Sequence, residues 1–178
     1  MTNKIYIGID NGITGSIGII YPIPPEGMGG CTNFLKTPIK SEQSYTKKKQ
    51  NISRLDCLKF IALMRTASQP YIGQALHTMV LIERPFSAPL RIKAMLSANR
   101  CLEAQLICLE IIGLPYQYVD SKEWQKELLP QGTKGTEDLK KASRDIGIRL
   151  FPDWEHEIIH QKDADGMLLA EWGRRKNL

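Results

Sequence analysis

The segment Thr78-Met79-Val80-Leu81-Ile82 is apolar without interruption, is of strand rather than helix length, and stops at Glu83-Arg84-Pro85. A run of that kind is buried on both faces, which demands a sheet covered by helices on either side. Glu83 ends it, and a carboxylate so close to a core must be solvated, paired with a cation or bound to a metal. Pairing with the adjacent Arg84 is the plainest of these outcomes.

A second acid stands at a comparable place near the N-terminus. Ile5, Ile7 and Ile9 alternate with Tyr6 and Gly8, and Asn11-Gly12 supplies turn chemistry before another apolar run from Ile17 to Tyr21. That pattern predicts a hairpin opening the sheet. Asp10 lies where the first strand meets the turn, which presents its carboxylate at the sheet's edge while the glycines leave room for a phosphate. Taken alone, Asp10 is equally well explained as a turn aspartate bonding its own backbone.

Two further acids, Asp163 and Asp165, flank Ala164 immediately before Gly166-Met167-Leu168-Leu169-Ala170. Both therefore fall at the N-terminus of a last helix reaching Arg175, where the macrodipole favours negative charge. Capping is the simple account of Asp163. Residues two apart point to different sides of a helix, so both acids serve one site only if Asp163 stands in the non-helical N-cap position.

Between these landmarks the chain alternates turn-rich loops with periodic segments. Pro22, Pro24, Pro25 and nearby glycines predict a loop, followed by a short strand at 33–37 and a polar loop holding Lys47, Lys48 and Lys49. Ser53-Arg54-Leu55-Asp56 resembles a capping box and, with Leu55, Leu58, Ile61 and Ala62 at helical spacing, predicts a helix over 54–68 that Pro70 ends. Ser87 and Pro89 start the longest helix, whose apolar stripe of Ile92, Met95, Leu96, Leu102, Leu106 and Leu109 runs toward Gly113. Its other flank carries Ala94, Ala98, Cys101 and Cys108, small enough for close approach by a second element, from the same chain or from a symmetry mate. A strand at 115–119, short helices capped by Ser121 and Thr136, and a loop from Gly132 to Gly135 complete the reading.

A chain of 178 residues, 42% hydrophobic, suffices for one core and is read as a single unit spanning 1–178, too short for a two-lobed enzyme. The net charge of +5 favours polyanionic partners without requiring one. Cys31, Cys57, Cys101 and Cys108 lack metal-ligand spacing and read as reduced core thiols. No apolar run is long enough to span a membrane and no signal-peptide pattern opens the chain, so the expected location is the cytoplasm.

Three or four carboxylates brought together from separate segments repel one another unless a divalent cation intervenes, and Mg²⁺ suits hard oxygen ligands. Two such ions about 3.5 to 4 Å apart activate a water and stabilise the leaving 3′ oxygen in phosphodiester hydrolysis.

Three segments, Ile7-Gly8-Ile9-Asp10-Asn11-Gly12, Val80-Leu81-Ile82-Glu83-Arg84-Pro85 and Lys162-Asp163-Ala164-Asp165-Gly166 with its continuation through Arg174-Arg175, together resemble the RuvC family of Holliday junction resolvases, especially its phage-type and organellar branch. Val119-Asp120-Ser121-Lys122-Glu123-Trp124-Gln125-Lys126 and the later Leu150-Phe151-Pro152 also resemble that branch. The resemblance implies an α/β fold, a ribonuclease-H-like mixed five-stranded sheet flanked by helices. It further implies a homodimeric endonuclease, bacterial or phage-encoded, that cuts four-way DNA junctions with two Mg²⁺ ions per site, Mn²⁺ substituting. Asp10, Glu83 and Asp165 would be its metal ligands.

The family's further acid or histidine before the last aspartate is replaced here by Gln161 and Lys162. Asp163 is the nearest substitute, His160 a second candidate, and Lys162 an alternative contact for the scissile phosphate. Lys47, Lys48, Lys49, Arg91, Lys93, Lys122, Lys126, Lys134 and the run from Arg174 to Lys176 are candidate phosphate contacts. The small-residue flank of the long helix is the candidate dimer interface.

Two other classes compete. The loop Gly8-Ile9-Asp10-Asn11-Gly12-Ile13-Thr14-Gly15 also resembles the phosphate loop of sugar kinases and actin-like ATPases, which need a second lobe and leave Glu83 and Asp165 unexplained. The missing acid suggests instead a junction- or RNA-binding protein that keeps the fold without cleavage, or a nuclease acting on RNA or forks.

Overall fold

The computed structural model describes residues 4–22, 31–44, 49–69, 77–85 and 91–178. Residues 23–30, Lys47, Lys48, Pro70 and the expected helix start at Ser87 and Pro89 lie outside the described residues.

A mixed five-stranded sheet forms the centre, built from β1 (Lys4–Ile9), β2 (Ser16–Ile20), β3 (Thr32–Lys36), β6 (His77–Glu83) and β7 (Tyr116–Val119). Their spatial order is β3-β2-β1-β6-β7. The first three strands pair antiparallel, as a hairpin and its continuation, while β6 runs parallel to β1 and β7 parallel to β6. The sheet is flanked by helices on both faces, the mixed five-stranded α/β arrangement expected from the sequence, with the apolar β6 run covered on either side.

The two faces are divided by the period-2 alternation of the strands. Ile5, Ile7 and Ile9 of β1, with Ile17, Ile19, Val80 and Ile82, cluster with Phe60 and Met64 of α1 (Cys57–Ser68) and with Cys101, Cys108 and Leu109 of α2 (Ile92–Ile112). The opposite face, with Tyr6, Ile20 and Leu81, gathers Trp124 of α3 (Ser121–Leu128), Ile158 of α5 (Glu155–Gln161) and Met167, Leu168, Leu169 and Ala170 of α6 (Asp165–Lys176). Helix α4 (Thr136–Leu150) packs against α5 and α6.

Gly8 and Gly18 decide how closely α6 approaches. They are paired across β1 and β2, and a Cβ on Gly8 would stand 2.2 Å from the Gly166 carbonyl oxygen, one on Gly18 2.3 Å from the Met167 Cα. The two glycines thus form a bare strip on which the first turns of α6 rest backbone against backbone. Ser16, fully buried, accepts the Gly166 N–H at 3.1 Å and ties the start of that helix to β2.

Several expectations are corrected. The span expected to begin a helix at residue 54 is instead the end of β5 (Asn51–Leu55), paired with β4 (Ile39–Gln43) in a separate two-stranded sheet. The helix begins only at Cys57, where the Asp56 carboxylate accepts the Lys59 N–H at 3.2 Å. Asp120, not Ser121, caps α3 in a capping box with Glu123, and Gly135, at φ 88°, precedes Thr136 at the start of α4. On α2 the expected stripe holds only in its second half. Leu109 is fully buried and Leu102 and Leu106 pack against the core, together with Cys101 and Cys108, whereas Ile92 and Leu96, also expected inside, are 58% exposed. Of the small-residue flank, Ala98, Cys101 and Cys108 are buried within the chain and only Ala94 is exposed, so the flank is not a free interface.

Among the described residues, no helix is long and apolar enough to cross a membrane.

Candidate metal centre

The register of the sheet brings the first two acids together. Ile9 pairs with Ile82 across the parallel β1 and β6, so Asp10 and Glu83 follow side by side at the carboxyl ends of adjacent strands. Both continue the face of Gly8 and Leu81, the one covered by α6. Crevices outside the carboxyl ends of parallel strands are where α/β sheets gather functional groups. The Asp10 N–H donates to the Ser16 carbonyl at 2.9 Å, and a Cβ on Gly15 would meet the Asp10 carbonyl oxygen at 2.0 Å, so this turn closes only with glycine there.

The last two acids arrive from α6. Asp165 is its first residue and Ala164 its N-cap, with no side-chain cap, so Asp163 stands outside the helix and does not cap it. Lys162, in the left-handed region at φ 78°, turns the chain from the end of α5 into this segment. Freed from helical direction, Asp163 can face the same way as Asp165. One oxygen each of Asp10, Asp163 and Asp165 lies within 4.8 Å of the others, an arrangement that could hold a metal ion.

Glu83 lies close enough to this group to raise the Asp10 and Asp165 pKa values. It is not paired with Arg84, whose guanidinium lies 5.2 Å from the centre of the Tyr118 ring in a cation–π contact. Instead the indole N–H of Trp124, itself fully buried, donates to Glu83 Oε2 at 2.9 Å.

Helix α4 supplies two groups that the sequence reading did not single out. Lys140 Nζ lies 3.4 Å from Asp163 Oδ2. Ser143, 1% exposed, donates its hydroxyl to Asp165 Oδ1 and accepts the Ala164 N–H at 3.1 Å. One turn on, Gly147 lets α4 close against Ala164, since a Cβ there would lie 2.3 Å from the Ala164 Cβ.

Without a bound cation the cluster is electrostatically costly. Burial, then the neighbouring charges of Asp165, Glu83 and Asp163, push Asp10 well above the usual carboxylate range. Burial raises Asp165 to about 7, reinforced by Asp163 and opposed by the Ser143 bond. Glu83 also rises to about 7, burial outweighing the opposing Trp124 bond. Burial raises Asp163 as well, against the pull of Lys140. Asp163 Oδ1 is buried and makes no hydrogen bond among the described residues. A buried oxygen-only donor set of this kind fits a hard divalent cation, whose charge would return the carboxylates to their ionised form.

The remaining candidates lie elsewhere. His160 is exposed on the last turn of α5 and is not part of the acid group. Gln161 turns away from the acids, its side-chain N–H donating to the Thr14 carbonyl at 2.6 Å and pinning the β1–β2 turn. Lys49, Arg91, Lys93, Lys122, Lys126, Lys134 and Lys162 are all exposed, whereas Arg174 and Arg175 both bond Glu171. Lys47 and Lys48 fall outside the described residues.

No protein-family profile and no curated protein matches the sequence. Among solved structures, T. thermophilus RuvC in complex with Holliday junction substrate superposes with a TM-score of 0.53 at 16% identity, covering 98% of this chain and 94% of that one. A further Thermus thermophilus RuvC structure gives 0.53 at 13% identity, covering 97% and 96%. At that identity the likeness establishes the fold.

Proposed function

We propose that this chain is a Mg²⁺-dependent, structure-selective endonuclease of the RuvC type that resolves four-way DNA junctions by paired phosphodiester hydrolysis. The observation that carries the reading is the meeting of Asp10, Asp163 and Asp165, with Glu83 beside them, at the carboxyl ends of two parallel strands. The likeness to a RuvC fold seen with a Holliday junction supports branched DNA as the substrate class. The sequence motifs favour the phage-type and organellar branch, with residues 1–178 acting as one nuclease unit in a bacterial cytoplasm.

In this reading Asp10, Asp163 and Asp165 hold the cation, and Glu83, fixed by Trp124, completes the set toward a second ion. When bound, Mg²⁺ supplies the Lewis acidity that activates the attacking water and offsets charge on the leaving 3′ oxygen; Mn²⁺ can replace it. Asp163 takes the place of the family's missing acid. Lys140 lies where it offsets the acids' charge between turnovers, and Lys49, Arg91, Lys93, Lys122, Lys134 and Lys162 contact phosphates along the arms.

Two cuts on opposing strands require two sites related by a twofold axis. The face that fits a second copy is the exposed stripe of Ile92, Leu96, Ile107 and Ile111 on α2, spaced four, eleven and four residues apart, close to whole helical turns. The double substitution Leu96→Glu with Ile107→Glu should halve the solution mass measured by light scattering. It should also convert paired cuts into single nicks. An unchanged mass would remove this face as the interface.

The direct test incubates the protein with an end-labelled synthetic four-way junction and a matched linear duplex, with and without Mg²⁺. Paired nicks confined to the junction are expected. Tight junction binding without any cut would overturn the catalytic assignment and favour a binding protein that has kept the fold.

A further inference from the structure

Three of the four clustered carboxylates have one oxygen already engaged by a protein donor. Ser143 bonds Asp165 Oδ1, Trp124 bonds Glu83 Oε2 and Lys140 approaches Asp163 Oδ2. The first two donors are buried and fixed. The Ser143 hydroxyl is used both ways, giving its proton to Asp165 and accepting the Ala164 N–H, and α4 is registered on that segment by the Gly147 contact. Trp124 has one N–H, is fully enclosed, and cannot present it elsewhere. Lys140 is half-exposed and its contact is long, so it constrains least.

A carboxylate oxygen held this way has one lone pair occupied and its orientation fixed, which disfavours chelation of a cation by both oxygens and leaves the other oxygen as the readier ligand. We propose that Ser143, with Trp124, determines which cation this centre accepts, by confining Asp165 and Glu83 to single-oxygen coordination. Mg²⁺ and Mn²⁺ sit in octahedral shells of single-oxygen ligands and water. Ca²⁺ takes about six to eight oxygens at longer distances and commonly draws both from one carboxylate. The donors therefore act as positioning residues that select a small ion against Ca²⁺. The inference rests on the reading of this cluster as a divalent-cation site, and it does not depend on cleavage.

The test is calorimetric titration of the full chain with Mg²⁺, Mn²⁺ and Ca²⁺ separately, without DNA, for the unmodified protein, Ser143→Ala and Ser143→Thr. The unmodified protein should bind Mg²⁺ or Mn²⁺ more tightly than Ca²⁺. Ser143→Ala should narrow that preference by about tenfold, within the range expected for partners that orient metal ligands, and Ser143→Thr, which keeps the hydroxyl, should restore it. If Ser143→Ala weakens every ion equally, Ser143 serves the fold alone and the inference is overturned. Should that variant fail to fold, Trp124→Phe, which removes the indole donor to Glu83 but keeps an aromatic ring in the core, must narrow the same ratio or the inference falls. Absence of any divalent binding by the unmodified protein would instead overturn the metal reading itself, and loss of junction cleavage with normal ion selectivity would count only against the nuclease.

Discussion

Asp10→Asn should abolish Mg²⁺-dependent cleavage of a four-way junction, by roughly a thousandfold or more, while changing junction affinity by less than about threefold. The loss corresponds to about 4 kcal/mol of transition-state stabilisation, the order expected when a group that holds or complements the reacting charge is neutralised. The fold should be untouched. Asparagine matches aspartate in size, the backbone bond from residue 10 to Ser16 does not involve the side chain, and Gly15 still admits the turn. Removing one of the mutually repelling acids should even raise the melting temperature of the metal-free protein, because Asp10 is destabilised by burial and then by Asp165, Glu83 and Asp163. Affinity should persist because Lys49, Arg91, Lys93, Lys122 and Lys134 are exposed and lie on other segments. Single-turnover cleavage and gel-shift titration on the same preparation measure both quantities. Full cleavage by a folded Asp10→Asn protein would remove Asp10 from the site.

The acids were legible in the sequence because each interrupts a pattern. Glu83 ends an unbroken apolar run, Asp10 ends an alternating one, and Asp165 opens a helix whose next residues are all apolar. In each case a charge stands where only a core is expected, and the physical options are few. Ser143, Lys140 and Trp124 had no such signal. Ser143 and Lys140 occupy a helix with many polar residues, where each resembles a solvated side chain. What separates them is the approach of α4 to Ala164 through Gly147, which only the packed structure shows.

The sheet was legible where burial imposes a period and illegible where it does not. β1, β2, β6 and β7 pack on two faces, and their apolar residues mark them. The β4–β5 pair carries Lys40, Ser41, Glu42 and Gln43, mostly exposed, with cross-strand contacts such as Arg54 to Glu42 in place of a buried face. Nothing in its composition distinguishes it from a loop. The first half of the stripe on α2 was misassigned for a related reason. Large apolar residues were taken to mark the core, which holds for Leu102, Leu106 and Leu109, yet in the first turns Ala98 is buried while Ile92 and Leu96 stay outside.

The protein should also lose thermal stability as the pH rises from 5 to 8 without divalent cations, and regain it when Mg²⁺ is added at pH 8. Glu83 and Asp165, pushed up to about 7, and Asp10, raised well above the usual carboxylate range, are all easier to ionise in the unfolded chain than in the folded one. Groups shifted upward contribute stability that is complete below the ordinary carboxylate value of about 4 and is lost as the pH climbs through the folded value near 7. The loss therefore falls between pH 5 and 8, opposite in sign to acid unfolding. The lower limit avoids a separate effect at Glu171, which, although burial raises it, is held below the usual carboxylate range by Arg174 and Arg175. A melting temperature lower by about 10 °C at pH 8 than at pH 5 is the expected size for a chain of this length. Millimolar Mg²⁺ should recover most of it at pH 8, since a cation that binds only the folded state adds stability by mass action. At pH 5 it should do little, because protonated carboxyls bind it weakly. Asp10→Asn should flatten both dependences, which scanning calorimetry across the two pH values, with and without Mg²⁺, will read. Equal stabilisation by Mg²⁺ at pH 5 and pH 8 would place the bound ion away from these four acids.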